Sequence, residues 1–427
     1  MDGPAGGRWR GVPRRRTLAV LAAGAALCAL AGAGVTAART GPGGPAPGPA
    51  ATAAADVGPP DRRAVEAVLA NRERAVRDRD RTAFLATVAA APAGYRRAQA
   101  VMFDNLLKLP LEGWRERFAA VASTAGGAAT VQVELRYRLR GHDAAPLVRT
   151  RHLAFAPRGG RWVITGDGAG RGLADDAEIW DGGPITVVRG RSVLAAGDGP
   201  GLAEIARRLD AAVPAVDAVA GPLAEKGWER RAVALVPADP ARAGALAGGG
   251  GEPAGIAALA TVMPAVRGGG ADRIVIAPDS FGRLNALGRD VVLTHELTHV
   301  ATGGARDGRT PLWLIEGFAD YTGYKGRRVG VRSAARELRA EVAAGRLPAA
   351  LPGRAAFEDG ADRLAQSYQE AWLACRMIAE RYGEATLVRL YRAAGRSSED
   401  AALRSVLGLG TAAFTAAWRD YLREELR

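Results

Sequence analysis

The chain reads as an α+β protein in which a small α+β module precedes a larger mixed domain with a helical C-terminal lobe. Three observations carry this reading. Apolar and polar residues alternate without a break from Val131 to Leu139; a His295-Glu296-Leu297-Thr298-His299 segment sits in an apolar run at helical spacing; and the pattern from Val331 onward is almost all helical. A length of 427 residues suits two or three domains, and a hydrophobic fraction of 48% is ordinary for a globular chain.

Residues 1–38 read as a signal peptide or membrane anchor. Arg8, Arg10, Arg14, Arg15 and Arg16 form a basic head, and Thr17 to Ala38 carries no charge. Val35-Thr36-Ala37 offers a small-residue cleavage site, while the uncharged stretch is also long enough to span a bilayer with the arginines inside. Arg15-Arg16-Thr17-Leu18 matches twin-arginine export in part. Cys28 lacks the small neighbour that a lipid-attachment site requires. Both alternatives predict an extracytoplasmic protein, secreted or held at the cell membrane through residues 17–38. Residues 39–60 are rich in Pro, Gly and Ala, and form a linker that cannot build a core.

Residues 61–170 make up the small α+β domain. Val65, Val68, Leu69 and Val76 recur at helical spacing, and Asp80 can cap a second helix. After the alternating strand come Val148 to Ala156 and Trp162 to Thr165, joined by the turn Arg158-Gly159-Gly160-Arg161. Helices followed by a meander resemble the nuclear-transport-factor-like cone fold, a likeness that says little about function. His142, in a Gly-His-Asp turn, and His152, within a strand, have no ligand partner at a useful spacing and read as surface or structural residues.

Residues 180–427 form the larger domain. Ile185 to Val188, Val193 to Ala195, Ala232 to Val236 and Asp272 to Ala277 are strand-like, and Gly201 to Ala220 is helical apart from Pro214. The glycine runs at 248–251 and 268–270 lack the Lys-Ser/Thr of a phosphate loop and read as turns. Leu364 to Arg381 is an apolar helix. With the leader removed, Cys375 on that helix is the remaining cysteine, so no intramolecular disulfide is expected, and it reads as a small core residue.

The chemistry concentrates in two segments of this domain. Residues four apart share a helix face, so His295 and His299 can both address one metal ion with Glu296 beside them. Zinc in hydrolytic sites commonly takes two histidines and a glutamate and leaves a position open, and Glu316 is the candidate third ligand. The first helix is expected to end at Gly303-Gly304 and the next to begin at Thr310-Pro311, with threonine as N-cap. Asp320 lies one turn beyond Glu316, placed to accept the outer N–H of a ligand histidine.

These residues resemble the gluzincin zinc metallopeptidases, above all the compact bacterial peptidase MA-like family. Besides the HExxH at 295–299, the match rests on Pro311-Leu312-Trp313-Leu314-Ile315-Glu316-Gly317-Phe318-Ala319-Asp320-Tyr321. Similarity of lower specificity runs through Ser367 to Trp372, Arg381-Tyr382-Gly383 and Phe414 to Leu426. The resemblance implies a zincin-like domain, a small twisted sheet with a mainly helical C-terminal lobe. It also implies one catalytic Zn2+ and a peptide or protein substrate, with Glu296 as general base toward a zinc-activated water. A downstream tyrosine would steady the oxyanion. Tyr368 is the candidate, with core packing as the competing role and Tyr321 and Tyr324 as rivals. The aminopeptidase N family's Gly-x-Met-Glu-Asn segment is absent. Endopeptidase action is therefore expected, with the strand at 272–277 pairing an extended substrate.

The net charge of +13 comes largely from arginines interleaved with Asp and Glu, the pattern of a solvated face, and five arginines against Asp2 lie in the leader. Nucleic-acid binding is not expected. The Arg, Ala, Gly and Pro bias suits GC-rich bacterial coding. The alternative to an enzyme is a catalytically silent cell-surface binding or scaffold protein that keeps a peptidase fold; every motif position being intact favours the enzyme.

Overall fold

The computed structural model describes residues 61–427 apart from 126, 225–227, 249–255, 267–269, 304–307 and 359. The expected leader and linker lie outside the described residues. Among the described residues no helix is long and apolar enough to cross a membrane.

The architecture is α+β with two sheets. Helices α1 (Arg62–Asp78), α2 (Arg81–Ala86) and α3 (Ala93–Leu106) lead into an antiparallel meander of β1 (Leu111–Ala125), β2 (Ala128–Leu139), β3 (Leu147–Arg158) and β4 (Arg161–Asp167). Asp80 caps α2, its carboxylate accepting from Ala83 N at 2.9 Å. Val65 and Leu69 of α1 face Val131 and Val133 of β2 and Phe155 of β3 in one apolar cluster.

Sequence reasoning misses α3 and β1. In β1 only Trp114 and Glu116 are buried, and three register shifts break the period-2 pattern that marks a strand.

The second sheet contains β5 (Thr186–Arg189), β6 (Val193–Gly197), β7 (Ala232–Val236), β8 (Ala258–Pro264) and β9 (Gly270–Ile276), in spatial order β5-β6-β7-β9-β8. Strands β6, β7 and β9 run parallel; β5 and β8 are antiparallel edges. Helix α4 (Leu202–Ala220) crosses between β6 and β7 and continues past Pro214. The chain around Pro214 is apolar on one face, and its burial outweighs the lost backbone hydrogen bond.

Strands β6 and β7 are buried on both faces. Ala195, Ala234 and Ile274 face α4 and the later helices. Leu194, Leu235 and Val275 face the first module, sharing a cluster with Phe103, Trp114 and Tyr137. The first module is therefore packed on the sheet through a common apolar layer. A buried two-pronged ion pair crosses the same junction: Arg273 of β9 donates to both Asp143 oxygens, at 2.8 and 2.9 Å.

The strand at 272–277 is thus internal, flanked by β7 and β8, and cannot pair with a substrate as the sequence suggests. The edge is β8, whose weak alternation hides it in sequence.

After α5 (Pro240–Leu246) and α6 (Pro278–Gly282), helices α7 (Ala286–Thr302) and α8 (Leu312–Tyr324) carry the motif residues. The remaining chain is helical, as expected: α9 (Val331–Ala334), α10 (Arg336–Ala343), α11 (Leu364–Tyr382), α12 (Glu384–Ala394), α13 (Glu399–Leu407) and α14 (Thr411–Leu426).

Candidate metal centre

Helix α7 starts where Asn285 accepts from Gly288 N at 2.8 Å and stops at Gly303, in the left-handed region at φ 78°. Every residue from Val291 to His299 is buried. The threonines within it are accommodated by bonding back one turn, Thr298 Oγ1 to Thr294 O at 2.8 Å. Helix α8 begins one residue later than predicted: Pro311 occupies the cap position, with no side-chain capping bond from it.

Two glycines set how closely the helices approach. A Cβ on Gly317 would lie 2.2 Å from Ala371 O and 2.9 Å from Cys375 Sγ, so α8 and α11 meet backbone to backbone there. A Cβ on Gly323 would lie 3.0 Å from Val291 O of α7. Cys375 is fully buried at the first of these contacts and is a core residue, as expected. Trp313 reaches outward to donate from Nε1 to Glu399 at 2.9 Å, pinning the start of α8.

This packing brings the predicted ligands together. His295 Nε2 and His299 Nε2 are 2.9 Å apart, and Glu316 Oε2 lies 3.2 and 3.4 Å from them. All three residues are at most 3% exposed. They form a group able to hold a metal ion. Asp320 Oδ1 stands 2.7 Å from His295 Nδ1. A carboxylate only accepts, so Nδ1 carries a proton, and Nε2 is the His295 atom that faces the cluster. Glu316 Oε2 makes no hydrogen bond. Two imidazole nitrogens and a carboxylate oxygen converging in a buried pocket are the ligand set a divalent cation takes, so the residues fit a metal such as zinc.

Burial works against a charge on His295, but Asp320 above all holds its pKa well above the ordinary imidazole value. Burial likewise opposes the Glu316 carboxylate, and His299 and His295 outweigh it, holding the pKa below the usual range.

Glu296 is fully buried, and burial pushes its carboxyl up to about 8. Its Oε2 accepts from the backbone N–H of Ala260 on β8 at 2.6 Å, while Oε1 has no hydrogen-bond partner. Sequence reasoning misses Ala260, because a backbone donor leaves no trace in residue identity.

Tyr368 is brought to the site: its ring centroid is 6.2 Å from that of His295, and it also packs edge-on against Phe357 at 5.2 Å. Of the rivals, Tyr321 donates to Glu384 at 2.8 Å, and Tyr324 lies against Trp372 with centroids 4.5 Å apart. His142 and His152 belong to the first module, and His152 Nδ1 lies 3.1 Å from Asp175 Oδ1.

Comparison of the chain with family models, curated proteins and solved structures finds no match.

Proposed function

We propose that this protein is a zinc-dependent metallopeptidase, with a zincin-like domain over residues 180–427 and an accessory domain over 61–170, exported or membrane-anchored through its N-terminal segment. The observation that carries the reading is the buried convergence of His295, His299 and Glu316 beside a glutamate with one oxygen fixed and the other free.

His295 Nε2, His299 Nε2 and Glu316 Oε2 would hold the ion, and Asp320 keeps the Nδ1 proton and ring orientation of His295. Zinc, when bound there, supplies Lewis acidity toward a carbonyl and lowers the pKa of water. The Ala260 N–H fixes Glu296 Oε2 and so presents Oε1 to take a proton from the attacking water. The same oxygen then delivers that proton to the leaving amine. The Tyr368 hydroxyl is assigned to the carbonyl oxygen as it gains charge.

The test is cleavage of a diverse quenched peptide library by the zinc-loaded protein and by Glu296→Gln. Turnover by the wild type alone, abolished by a chelator, is expected. Silence from both proteins at one bound zinc each would overturn the peptidase reading in favour of a binding or scaffold protein.

A further inference from the structure

In the β8–β9 ladder the odd residues of β8 bond to β9, as Ala277 N to Ala257 O illustrates, so the even residues turn their backbone groups to the outer edge. Along that edge Ala260 N–H is taken by Glu296. Further on, the first module occupies the same lane: Leu147 at the start of β3 bridges Ala265, and Val266 N donates to Pro146 O at 2.9 Å. Between these two points the outward backbone groups are Ala260 C=O and the N–H and C=O of Val262; Pro264 brings no donor and adjoins the Leu147–Ala265 bridge. The turn that makes the obstruction is anchored from behind. Asp143 accepts both Arg273 prongs and also Leu139 N at 2.7 Å, and its side chain is fully buried.

We infer that the Pro146–Leu147 turn of the accessory module is a length stop: a peptide paired along β8 extends only about three residues beyond the scissile bond toward that turn. This rests on the peptidase reading, because Glu296 of α7, bonded to Ala260 N of β8, marks where the bond is cut. The estimate follows from the four-residue step between Ala260 and Pro264, about 13 Å at roughly 3.3 Å per strand residue, less the bulk of the stop itself. The substrate class is then a peptide or protein chain with a free end within reach of the cleft, which narrows the endopeptidase action expected from sequence.

The experiment is mass spectrometry of fragments from unstructured peptides of 20 residues cut by the zinc-loaded protein. Release of pieces of about three residues or fewer, all from the same end, is the expected result. Cuts in the interior, far from both ends, would overturn the length stop and leave the peptidase standing; no cutting at all would sink both. The paired variant Asp143→Asn with Arg273→Gln leaves no unmatched charge and frees the turn, and should raise interior cutting at least tenfold. If that variant fails to fold, the wild-type fragment pattern still decides. Amide exchange gives a readout without turnover. On the Glu296→Gln protein a short peptide should protect the Val262 amide, and lengthening it past the stop from that end should remove the protection.

Discussion

Replacing Gly317 by alanine tests whether one backbone contact builds the site. The new Cβ would sit 2.2 Å from Ala371 O, 2.6 Å from its carbonyl carbon and 2.9 Å from Cys375 Sγ. Carbon and oxygen need roughly 3.2 Å, so α8 and α11 must separate by about 1 Å, and both are packed on all sides. Overpacking of this kind costs about 1–3 kcal/mol, partly offset by the better helix propensity of alanine, and lowers the melting temperature by about 5 °C. Glu316 is the adjacent residue on α8 and Tyr368 sits one turn before Ala371 on α11, so the displacement reaches the metal ligands. Zinc affinity, measured by chelator competition, should fall together with the melting temperature. Gly330→Ala is the control, since nothing lies within 4 Å of its added Cβ. A Gly317→Ala protein that melts within 1 °C of wild type, or roughly so, and binds zinc equally well would refute the claim that this contact positions Glu316.

Asp320→Asn keeps the shape but removes the charge that holds His295, so zinc affinity should drop about 10–100-fold by competition titration; an unchanged affinity removes Asp320 from the site. Tyr368→Phe should lower kcat by about 10²–10³-fold with zinc retained, whereas Tyr321→Phe loses its bond to Glu384 and should cost about 1 kcal/mol of stability with kcat intact. Equal kinetics for the two variants would return Tyr368 to a packing role. At the junction of the modules, burial pushes the Glu178 carboxyl up to about 7, against the pull of Arg149 and Tyr137. The folded protein therefore keeps a proton there that the unfolded chain releases near 4.5. Stability from this group is full below about pH 4.5 and is lost as pH rises through 7. Denaturant midpoints at pH 5 to 8 should flatten in Glu178→Gln, and parallel slopes for the two proteins would dismiss this residue.

Several features were legible because local rules carry them. His295 and His299 share a face since any helix puts residues four apart together, and Asp80 caps α2 because its side chain competes for a free N–H. Strand β2 alternates because one face is buried and the other only partly so, and β3 and β4 were legible from the short turns that bound them. Strand β1 escaped detection because its bulges erase that alternation, and β8 because an edge strand of small residues has little contrast between its faces.

The sequence by itself determined the ligand types, their order and their helical spacing, since these depend on residue identity and the pitch of one helix. Tertiary structure alone decided that Glu316 meets the two histidines, that Ala260 holds Glu296, and that β8 rather than β9 is the edge. It also placed the Pro146–Leu147 turn across that edge. These are contacts between segments far apart in the chain, formed by backbone groups and close helix approaches, and backbone is the part of a protein that every residue shares.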